Sequence, residues 1–309
     1  MTNQSSNLRK ARQAKNDEFY TQYSDINKEV FRYAEHLKHK VIYCNCDHPE
    51  QSEFYTFFKK RFKFFNLKKV ITTHIVQDST SFKREYDGEQ EIDTPLQGNG
   101  DFRSNECKNI LDEADIVITN PPFSLFREFV SLLIEKEKQF LIIGNNNAIT
   151  YKEIFKLIKE NKLWLGTNNN KTLEFKLDPS YQKWSRIDEK GNKYGKVPAI
   201  SWFTNLTHFK RNLPIDLYEK YDSSQYPKYD NYDAIEVSKV VNIPKDYYGV
   251  MGVPITFLDK YCPEQFEIVG TRRWFYDKTL GITNGKTLIN GKETYDRIFI
   301  KRKKVEEEE

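Results

Sequence analysis

Hydrophobic positions in the first half of the chain alternate between short continuous runs and stretches with helical spacing. Apolar spacing predicts helices over residues 124–138, where Ser124 is in position to cap, and over 151–159. The continuous runs predict strands at residues 40–46, 70–76, 115–119, 140–144 and 162–166. This order of strands and helices indicates right-handed crossovers and a mostly parallel α/β sheet. Ligands of such sheets bind at the carboxyl ends of the strands.

The helical pattern ends near residue 168, and Gly, Pro, Lys and Tyr become frequent. Residues 199–205 read as one further strand. Asn-Gly pairs within 283–286 and 289–292 are typical of tight hairpin turns. The second part of the chain is therefore expected to be built differently from the first.

Candidate chemistry lies at the end of the strand predicted over 115–119. Asn120, Pro121, Pro122 and Phe123 follow it directly. Two prolines lack backbone N–H groups and restrict φ, so this segment forms a stiff corner. The side-chain oxygen of Asn120 and the main-chain oxygen of Pro121 could accept both hydrogens of an exocyclic amine and free its lone pair for attack. Phe123 would stack on a base flipped out of its duplex. The alternative is an ordinary strand followed by a proline-rich turn.

Composition excludes several classes of protein. The 309 residues, 38% hydrophobic and 30% charged, describe a soluble globular chain. No apolar run reaches the roughly 18 residues of a membrane helix, and the polar N-terminus lacks a signal-peptide core, so we expect a cytoplasmic protein. The four cysteines fit no zinc spacing, which predicts free thiols and no metal site.

The net charge is only +4, but basic and aromatic residues cluster in ways that suit a polyanion. Predicted DNA contacts are Arg9, Lys10, Arg12, Trp202, Tyr226 and Lys228. Each cluster has a plainer alternative. A basic run is often a solvated surface, and the tyrosine-rich segment 226–232 could pack on its own domain.

Several separate stretches of the chain resemble one family. They are residues 17–23, 43–47, 100–104, 120–128, 226–235 and 249–258. Across about residues 15–301 the sequence resembles the adenine-specific DNA methyltransferases of the EcoRI modification type. The resemblance implies a Rossmann-like class I methyltransferase fold, α/β with a mostly parallel seven-stranded sheet. It also implies a basic arm over 1–14, a cofactor-binding catalytic domain over 15–210 and a target-recognition region over 211–309.

The same resemblance assigns residues to a cofactor, S-adenosylmethionine. Phe19, Tyr20 and Thr21 match the motif that closes over the methionine end, where aromatic rings attract the sulfonium. Asn45, Cys46 and Asp47 match the loop after the first strand, with Asp47 receiving the ammonium group, although a Gly-rich loop is usual there. Asp101 and Phe102 match the pair that binds the adenine ring. For the ribose hydroxyls the nearest acid is Asp78.

The sequence therefore predicts a monomeric, sequence-specific adenine-N6 methyltransferase acting on double-stranded DNA, with a possible cognate restriction endonuclease. Transfer would be a direct in-line displacement without a covalent enzyme intermediate. Alternatives are cytosine-N4 methylation and a non-catalytic DNA-binding relative. Protein glutamine methylation uses a related tetrapeptide, but the Tyr- and Lys-rich C-terminal third favours DNA. The recognised site is implied to be GAATTC or a similar sequence.

We predict that the basic arm contacts phosphates. Deleting residues 1–12 should weaken binding to all DNA sequences and leave cofactor binding unchanged. Each lost phosphate contact should also reduce the slope of log affinity against log salt by about 0.9. Affinity for a specific duplex at several salt concentrations measures this slope. An unchanged slope after truncation means that the arm is only a solvated tail.

Overall fold

The computed structural model describes residues 19–76, 79–179, 181–274 and 286–304. The α-helices in these ranges are α1 (Tyr23–Val30), α2 (Ala34–Leu37), α3 (Glu53–Lys60), α4 (Phe62–Phe65), α5 (Asn105–Glu113), α6 (Phe126–Glu135) and α7 (Lys152–Lys159). The strands are β1 (Phe19–Thr21), β2 (Val41–Asn45), β3 (Lys69–Thr73), β4 (Phe82–Tyr86), β5 (Glu91–Pro95), β6 (Ile116–Thr119), β7 (Gln139–Asn145), β8 (Trp164–Leu165), β9 (Lys171–Leu177), β10 (Arg186–Ile187), β11 (Lys193–Thr204), β12 (Ala234–Glu236), β13 (Val250–Val253), β14 (Phe266–Thr271), β15 (Leu288–Ile289), β16 (Lys292–Glu293) and β17 (Ile298–Arg302).

The chain divides into two compact units. The first comprises residues 1–151 and 165–206, and the second comprises 152–164 and 207–309. The elements predicted from hydrophobic patterning in the first half are confirmed, with boundaries shifted by a few residues. The capping role predicted for Ser124 is wrong, because Ser124 lies inside a 3₁₀ turn, Phe123–Leu125, and α6 begins after it.

A large sheet forms the centre of the first unit. Among the described residues its main path runs β1-β9-β11-β7-β6-β2-β3-β4-β5. The four central strands β7, β6, β2 and β3 are parallel, and the other pairings along this path are antiparallel. The sheet thus differs from the expected mostly parallel, seven-stranded arrangement. Only eight residues separate β3 from β4, and a parallel return needs a crossover of about a dozen residues or more.

Aromatic side chains fill much of the core of the first unit. Phe54, Phe57 and Phe58 of α3 are fully buried, and their rings pack with those of neighbouring helices and of β11. Each face of the parallel strands is covered, so these strands read as continuous apolar runs rather than as alternating patterns. This packing fixes the carboxyl ends of β2, β3 and β6 on one edge of the sheet.

A buried carboxylate connects α1 to the segment before β9. Glu29 is fully buried. Its oxygens accept hydrogen bonds from Tyr33 Oη at 2.9 Å, from Thr167 N at 2.6 Å and Oγ1 at 2.7 Å, and from Asn168 N at 2.9 Å and Nδ2 at 2.7 Å. A buried charge is tolerated only when its lone pairs are satisfied in this way. Glu29 therefore substitutes for regular pairing along residues 167 and 168.

The second unit contains a four-stranded sheet in the order β12-β13-β17-β14 among its described residues. Tyr229 and Tyr232 pack on Phe299 of β17, with ring centroids 5.8 and 5.5 Å away. The hairpin predicted over 289–292 is confirmed, since β15 and β16 pair across Asn290 and Gly291, both with positive φ. The other predicted Asn-Gly turn, at 283–286, lies mostly outside the described residues. No helix in the described ranges has the length and apolarity to cross a membrane.

Replacing Glu29 by alanine should lower the free energy of unfolding by about 3–5 kcal/mol, because the buried donors of residues 167 and 168 lose their acceptor. Chemical denaturation measures the change. Glu35→Ala is the control: its side chain is 82% exposed and, among the residues that the structure describes, pairs only with Lys38, so a change within about 0.5 kcal/mol is expected. Equal effects of the two substitutions would contradict a structural role for Glu29.

Candidate active site

A cleft opens at the carboxyl edge of the parallel strands in the first unit. The space between its walls is about 570 Å³, part of which is open solvent. Residues from β1, from the loops after β2, β3 and β6, and from the turn before α5 line it: Phe19, Tyr20, Cys46, Asp47, Ser52, Ile75, Gly100, Asp101, Phe102, Asn120, Pro122 and Leu125. Four separate sequence-predicted groups therefore meet in one place. Of the remaining predicted site residues, Thr21, Asn45, Pro121 and Phe123 do not line this cleft.

Asn120 is held in a single orientation at the end of β6. Its Nδ2 donates a 2.6 Å hydrogen bond to the carbonyl oxygen of Phe19, which lies 101 positions earlier in the chain. This bond leaves the Oδ1 atom facing away from the backbone of β1. Oδ1 is buried and has no hydrogen-bond partner among the described residues. The amide therefore presents an unused acceptor beside the cleft.

Aromatic rings surround Phe19 on β1. Ring centroids of Phe123, Phe175 and Tyr181 lie 5.9, 5.7 and 6.0 Å from that of Phe19. β1 pairs with β9 through Phe19 and Leu177, so the sheet and the ring cluster both fix Phe19. Phe123 is only 8% exposed and belongs to the core. The aromatic ring that lines the cleft at this point is Phe19.

Asp47 is buried in the loop after β2. Its carboxylate accepts hydrogen bonds from the Ser52 hydroxyl and, at 3.1 Å, from the backbone N–H of Tyr55 in the first turn of α3. Burial raises the pKa of Asp47 to about 7, although both hydrogen bonds oppose the shift. A cationic group placed in the cleft would favour the ionised form. The geometry is compatible with a ligand that carries an ammonium group.

Cys46 explains how this loop turns without glycine. Its φ of 65° lies in the left-handed region, which residues other than Gly and Asn rarely adopt. The preceding carbonyl of Asn45 accepts a hydrogen bond from Thr119 Oγ1, which fixes the loop to β6. The loop thus makes a sharp turn at Cys46 without the Gly-rich sequence that the resemblance led us to expect.

Asp101 is already paired in this structure. Arg103 binds it in a bidentate arrangement, with Nε 2.9 Å from Oδ1 and Nη2 2.6 Å from Oδ2. Hydrogen bonding by the guanidinium is the main reason that the pKa of Asp101 is lowered. Sequence reasoning missed Arg103, although its position two residues after the acid was a signal. The neighbouring Phe102 is buried, and its ring centroid lies 5.0 Å from that of Phe129.

Two histidines beside the cleft were also missed. The rings of His48 and His74 lie 4.2 Å apart, centroid to centroid. Burial is the main cause that lowers the pKa of each histidine, and it lowers the pKa of His74 to about 4. Both rings are therefore neutral at pH 7. Their positions directly after Asp47 and after β3 could have identified them. Asp78, the predicted ribose ligand, lies outside the described residues.

Several unsatisfied buried polar atoms of the described residues lie around this edge of the sheet, and others lie elsewhere, for example on Arg61 and Arg302. Leaving a buried polar atom without a partner costs about 1–3 kcal/mol. Within the described ranges such atoms include Asn120 Oδ1, Asn45 Oδ1, Thr21 Oγ1 and His74 Nδ1. All four residues belong to the cleft wall or stand next to a residue of it. Such unpaired atoms are expected in a binding site, where a ligand or water would complete the hydrogen bonds and remove this cost.

The predicted DNA contacts need correction. Trp202 is 1% exposed, and its ring packs on Phe54 in the core, so it cannot stack on DNA. Tyr226 is 6% exposed, and its hydroxyl donates to the Asn242 carbonyl at 2.8 Å. The alternative, a tyrosine segment that packs on its own domain, is the correct one. Lys228 remains exposed beside Asp233, and Arg9, Lys10 and Arg12 lie outside the described residues.

Comparison with known proteins identifies the family. The family described as adenine-specific methyltransferase EcoRI matches residues 7–303. The chain belongs to this family. It is 45% identical to the Type II methyltransferase M.EcoRI of Escherichia coli, over 97% of both chains. Identity is 41% to M.MgeORF184P of Mycoplasma genitalium, over 96% of this chain and 98% of that protein, and 43% to M.MpnI of Mycoplasma pneumoniae, over 84% of both. No solved structure shows significant similarity.

Family membership makes the chain a site-specific, adenine-specific DNA methyltransferase, and the resemblance read from the sequence is confirmed. A methyl donor is therefore required. The cleft described above combines aromatic walls, buried acceptors and two acidic side chains. These features fit a small ligand with an aromatic and a cationic part.

We predict that Gly100→Ala impairs methyl-donor binding. Gly100 has a φ of +82°, and an added Cβ would lie 2.0 Å from the backbone oxygen of His74, which forces the cleft wall to move. Titration calorimetry should show at least about a tenfold loss of affinity, equal to about 1.4 kcal/mol.

Gly191→Ala provides a matched control for this substitution. Its φ of +81° imposes the same backbone strain, but no atom lies within 4 Å of the added Cβ. Donor affinity should remain at the wild-type value. Equal losses in both variants would show that strain, rather than the contact with His74, causes the effect.

Proposed function

We propose that this protein transfers a methyl group from S-adenosylmethionine to N6 of an adenine flipped out of duplex DNA. The observation that carries the proposal is the free, buried Oδ1 of Asn120 at the edge of the cleft. An acceptor in this position suits an exocyclic amine, whose N–H groups need partners in a site that excludes water. A base inside a duplex cannot reach such a cleft, so flipping is required.

The residues present fit S-adenosylmethionine, which supplies an electrophilic methyl group on a sulfonium when bound. Phe19 and Tyr20 line the cleft, and aromatic rings attract a cation. Asp47 stands at the same cleft, and an ammonium group there would lower its raised pKa. Asp101 and Phe102 form another part of the wall, where Arg103 competes for the Asp101 carboxylate. A ligand that needs this carboxylate must share it with Arg103 or displace the guanidinium.

Asn120 acts on the target amine by accepting one N–H at Oδ1, and we assign the second N–H to the carbonyl oxygen of Pro121, which stands between the cleft residues Asn120 and Pro122. The two acceptors draw the nitrogen toward tetrahedral geometry, so its lone pair becomes available. Positive charge develops on the nitrogen as it bonds the methyl carbon, whose bond to sulfur would break and leave a neutral thioether. The fixed oxygens stabilise this charge without reorganising, and one N–H proton is then released to water. The bond from Nδ2 to Phe19 holds Oδ1 in place throughout. Positioning and electrostatics carry the reaction, with no covalent bond to the enzyme.

The remaining assignments follow from the proposed reaction. We assign the first unit to a class I methyltransferase catalytic domain, and the second unit, with residues 211–309, to target recognition. The basic arm would add phosphate contacts. A single copy of the chain would act on the duplex in the cytoplasm, where a cognate endonuclease could cut the unmodified site.

Replacing Asn120 by alanine should reduce methyl transfer by about 100-fold or more, since one preorganised acceptor is lost. Affinity for S-adenosylmethionine should fall at most about fivefold, because a single neutral hydrogen bond to Phe19 is removed. Single-turnover transfer of labelled methyl groups, followed by nucleoside analysis, measures the rate and distinguishes N6-methyladenine from N4-methylcytosine.

Asn120→Asp separates the two functions of the amide. An aspartate keeps an acceptor for the target amine but cannot donate to the Phe19 carbonyl, so activity should lie between that of the wild type and that of the alanine variant. Near-normal turnover of the alanine variant would remove Asn120 from the mechanism. Detection of N4-methylcytosine instead of N6-methyladenine would show that the target base is cytosine and not adenine.

A further inference from the structure

A short hairpin projects from the first unit. Its arms are β10 and the start of β11, where Arg186 pairs with Tyr194 and Ile187 with Lys193. The backbone N–H of Ser185 donates to the Tyr194 carbonyl at 2.7 Å and extends the pairing. We refer to residues 183–194 as the Trp184 hairpin.

The turn of the Trp184 hairpin is rigid. The Asp188 carboxylate accepts hydrogen bonds from the backbone N–H groups of Lys190 and Asn192, from Asn192 Nδ2, each at 2.9 Å, and from the Tyr194 hydroxyl at 3.0 Å. These hydrogen bonds lower the pKa of Asp188 to about 2, and the bond from the Asn192 side chain has the largest effect. Asp188 is thus used internally, whereas Glu189, the other acid of the turn, is exposed. The hairpin keeps its shape without a partner.

The hairpin stands next to the catalytic cleft. Tyr181, just before it, packs on Phe19 with a centroid distance of 6.0 Å. A second, more open cleft lies between β1 and the hairpin, with Thr21 on one side and Arg186 and Asp188 on the other. Tyr20 lines both clefts. A polymer that delivers a base to Asn120 would therefore run past the hairpin.

Two apolar side chains of the hairpin are exposed. Trp184 is 46% exposed and Ile187 is 48% exposed. Lys193 Nζ lies 4.6 Å from the Trp184 ring and donates to the carbonyls of Pro179 and Tyr181 at 2.6 and 2.7 Å. The indole is thus held against the base of the hairpin with part of its surface in water. Large exposed rings on rigid elements are typical of interaction sites.

The charges beside these side chains suit phosphates. Lys183 and Lys190 are exposed, and neither forms an ion pair with any residue in the described ranges. Arg186 is held by Glu174 at 2.6 Å, and its guanidinium lies 3.9 Å from the Tyr194 ring. Two available ammonium groups flanking an exposed ring match a nucleic acid, which offers phosphates and base faces together.

We propose that the Trp184 hairpin docks on the duplex beside the extruded adenine. Trp184 packs on the base step that flipping exposes, and Lys183 and Lys190 contact the neighbouring phosphates. The proposal rests on the proposed function, because only a flipped adenine in the cleft brings DNA to this surface. The occupant is the target DNA itself and not a second protein.

The decisive variant is Trp184→Ala, tested by DNA affinity at fixed salt. Loss of one base–aromatic contact should weaken binding of the specific duplex by about 10-fold to 100-fold. Fluorescence of 2-aminopurine at the target position should also fall, since the extruded state loses its support. S-adenosylmethionine affinity should be unchanged, because Trp184 does not line the donor cleft.

Two further variants keep the test specific. Trp184→Phe should restore most of the affinity but remove the DNA-induced change in tryptophan fluorescence. Phe64→Ala, which removes another ring that is 61% exposed, should bind DNA as the wild type does. Wild-type affinity and wild-type 2-aminopurine signal in Trp184→Ala would overturn the proposal. The binding assay needs no turnover, so a wild-type protein that fails to methylate adenine contradicts the proposed function separately.

The lysines are tested by salt dependence. Lys183→Gln and Lys190→Gln should each reduce the slope of log affinity against log salt by about 0.9, because each removes one phosphate contact. Lys38→Gln, at an exposed lysine paired with Glu35, is the control and should leave the slope unchanged. Unchanged slopes in both hairpin variants would overturn the phosphate contacts.

Discussion

The hydrogen bond from Asn120 to the Phe19 carbonyl connects the centre of the sheet to its edge, and the candidate active site depends on it. β6 ends in the middle of the parallel strands, whereas β1 is the last strand of the antiparallel side. Two strands that are not neighbours are thus joined across the cleft by one amide. The same bond fixes which atom of Asn120 faces the ligand. An amide bonded elsewhere could present a donor and would not assist an amine.

The price of this arrangement is a set of buried polar atoms without partners. Glu29 shows the opposite case, in which a buried carboxylate has five donors and stabilises the fold. Asn120 and Asn45 each retain an unsatisfied oxygen. Glu29 is thus satisfied within the fold, whereas the unpaired oxygens of Asn120 and Asn45 are available to a ligand.

Electrostatics separates the acids of the cleft. Burial raises the pKa of Asp47, whereas the neighbouring guanidinium of Arg103 lowers that of Asp101. Asp47 consequently responds to a cation that enters the cleft, while Asp101 remains ionised and its pairing can be exchanged. Asp188 resembles neither, because its hydrogen bonds serve only the turn of the hairpin. Similar side chains thus acquire different functions from their surroundings.

The sequence alone determined the local features. Hydrophobic periodicity predicted the central strands and α6, and the stiff Asn-Pro-Pro-Phe corner predicted a fixed acceptor at a strand end, because these patterns act over a few residues. The family resemblance added Phe19, Asp47 and Asp101, which now lie in one cleft with Asn120.

Only the tertiary structure decided which polar and aromatic groups are exposed or paired. Trp202 and Tyr226 are buried and Trp184 is exposed. Arg103 forms a hydrogen-bonded ion pair with Asp101. β4 and β5 also run antiparallel, because the short connections after β3 and β4 exclude crossovers. Burial and pairing depend on contacts between residues that are distant in sequence, such as the 101 positions between Phe19 and Asn120. A local pattern carries no information about such contacts.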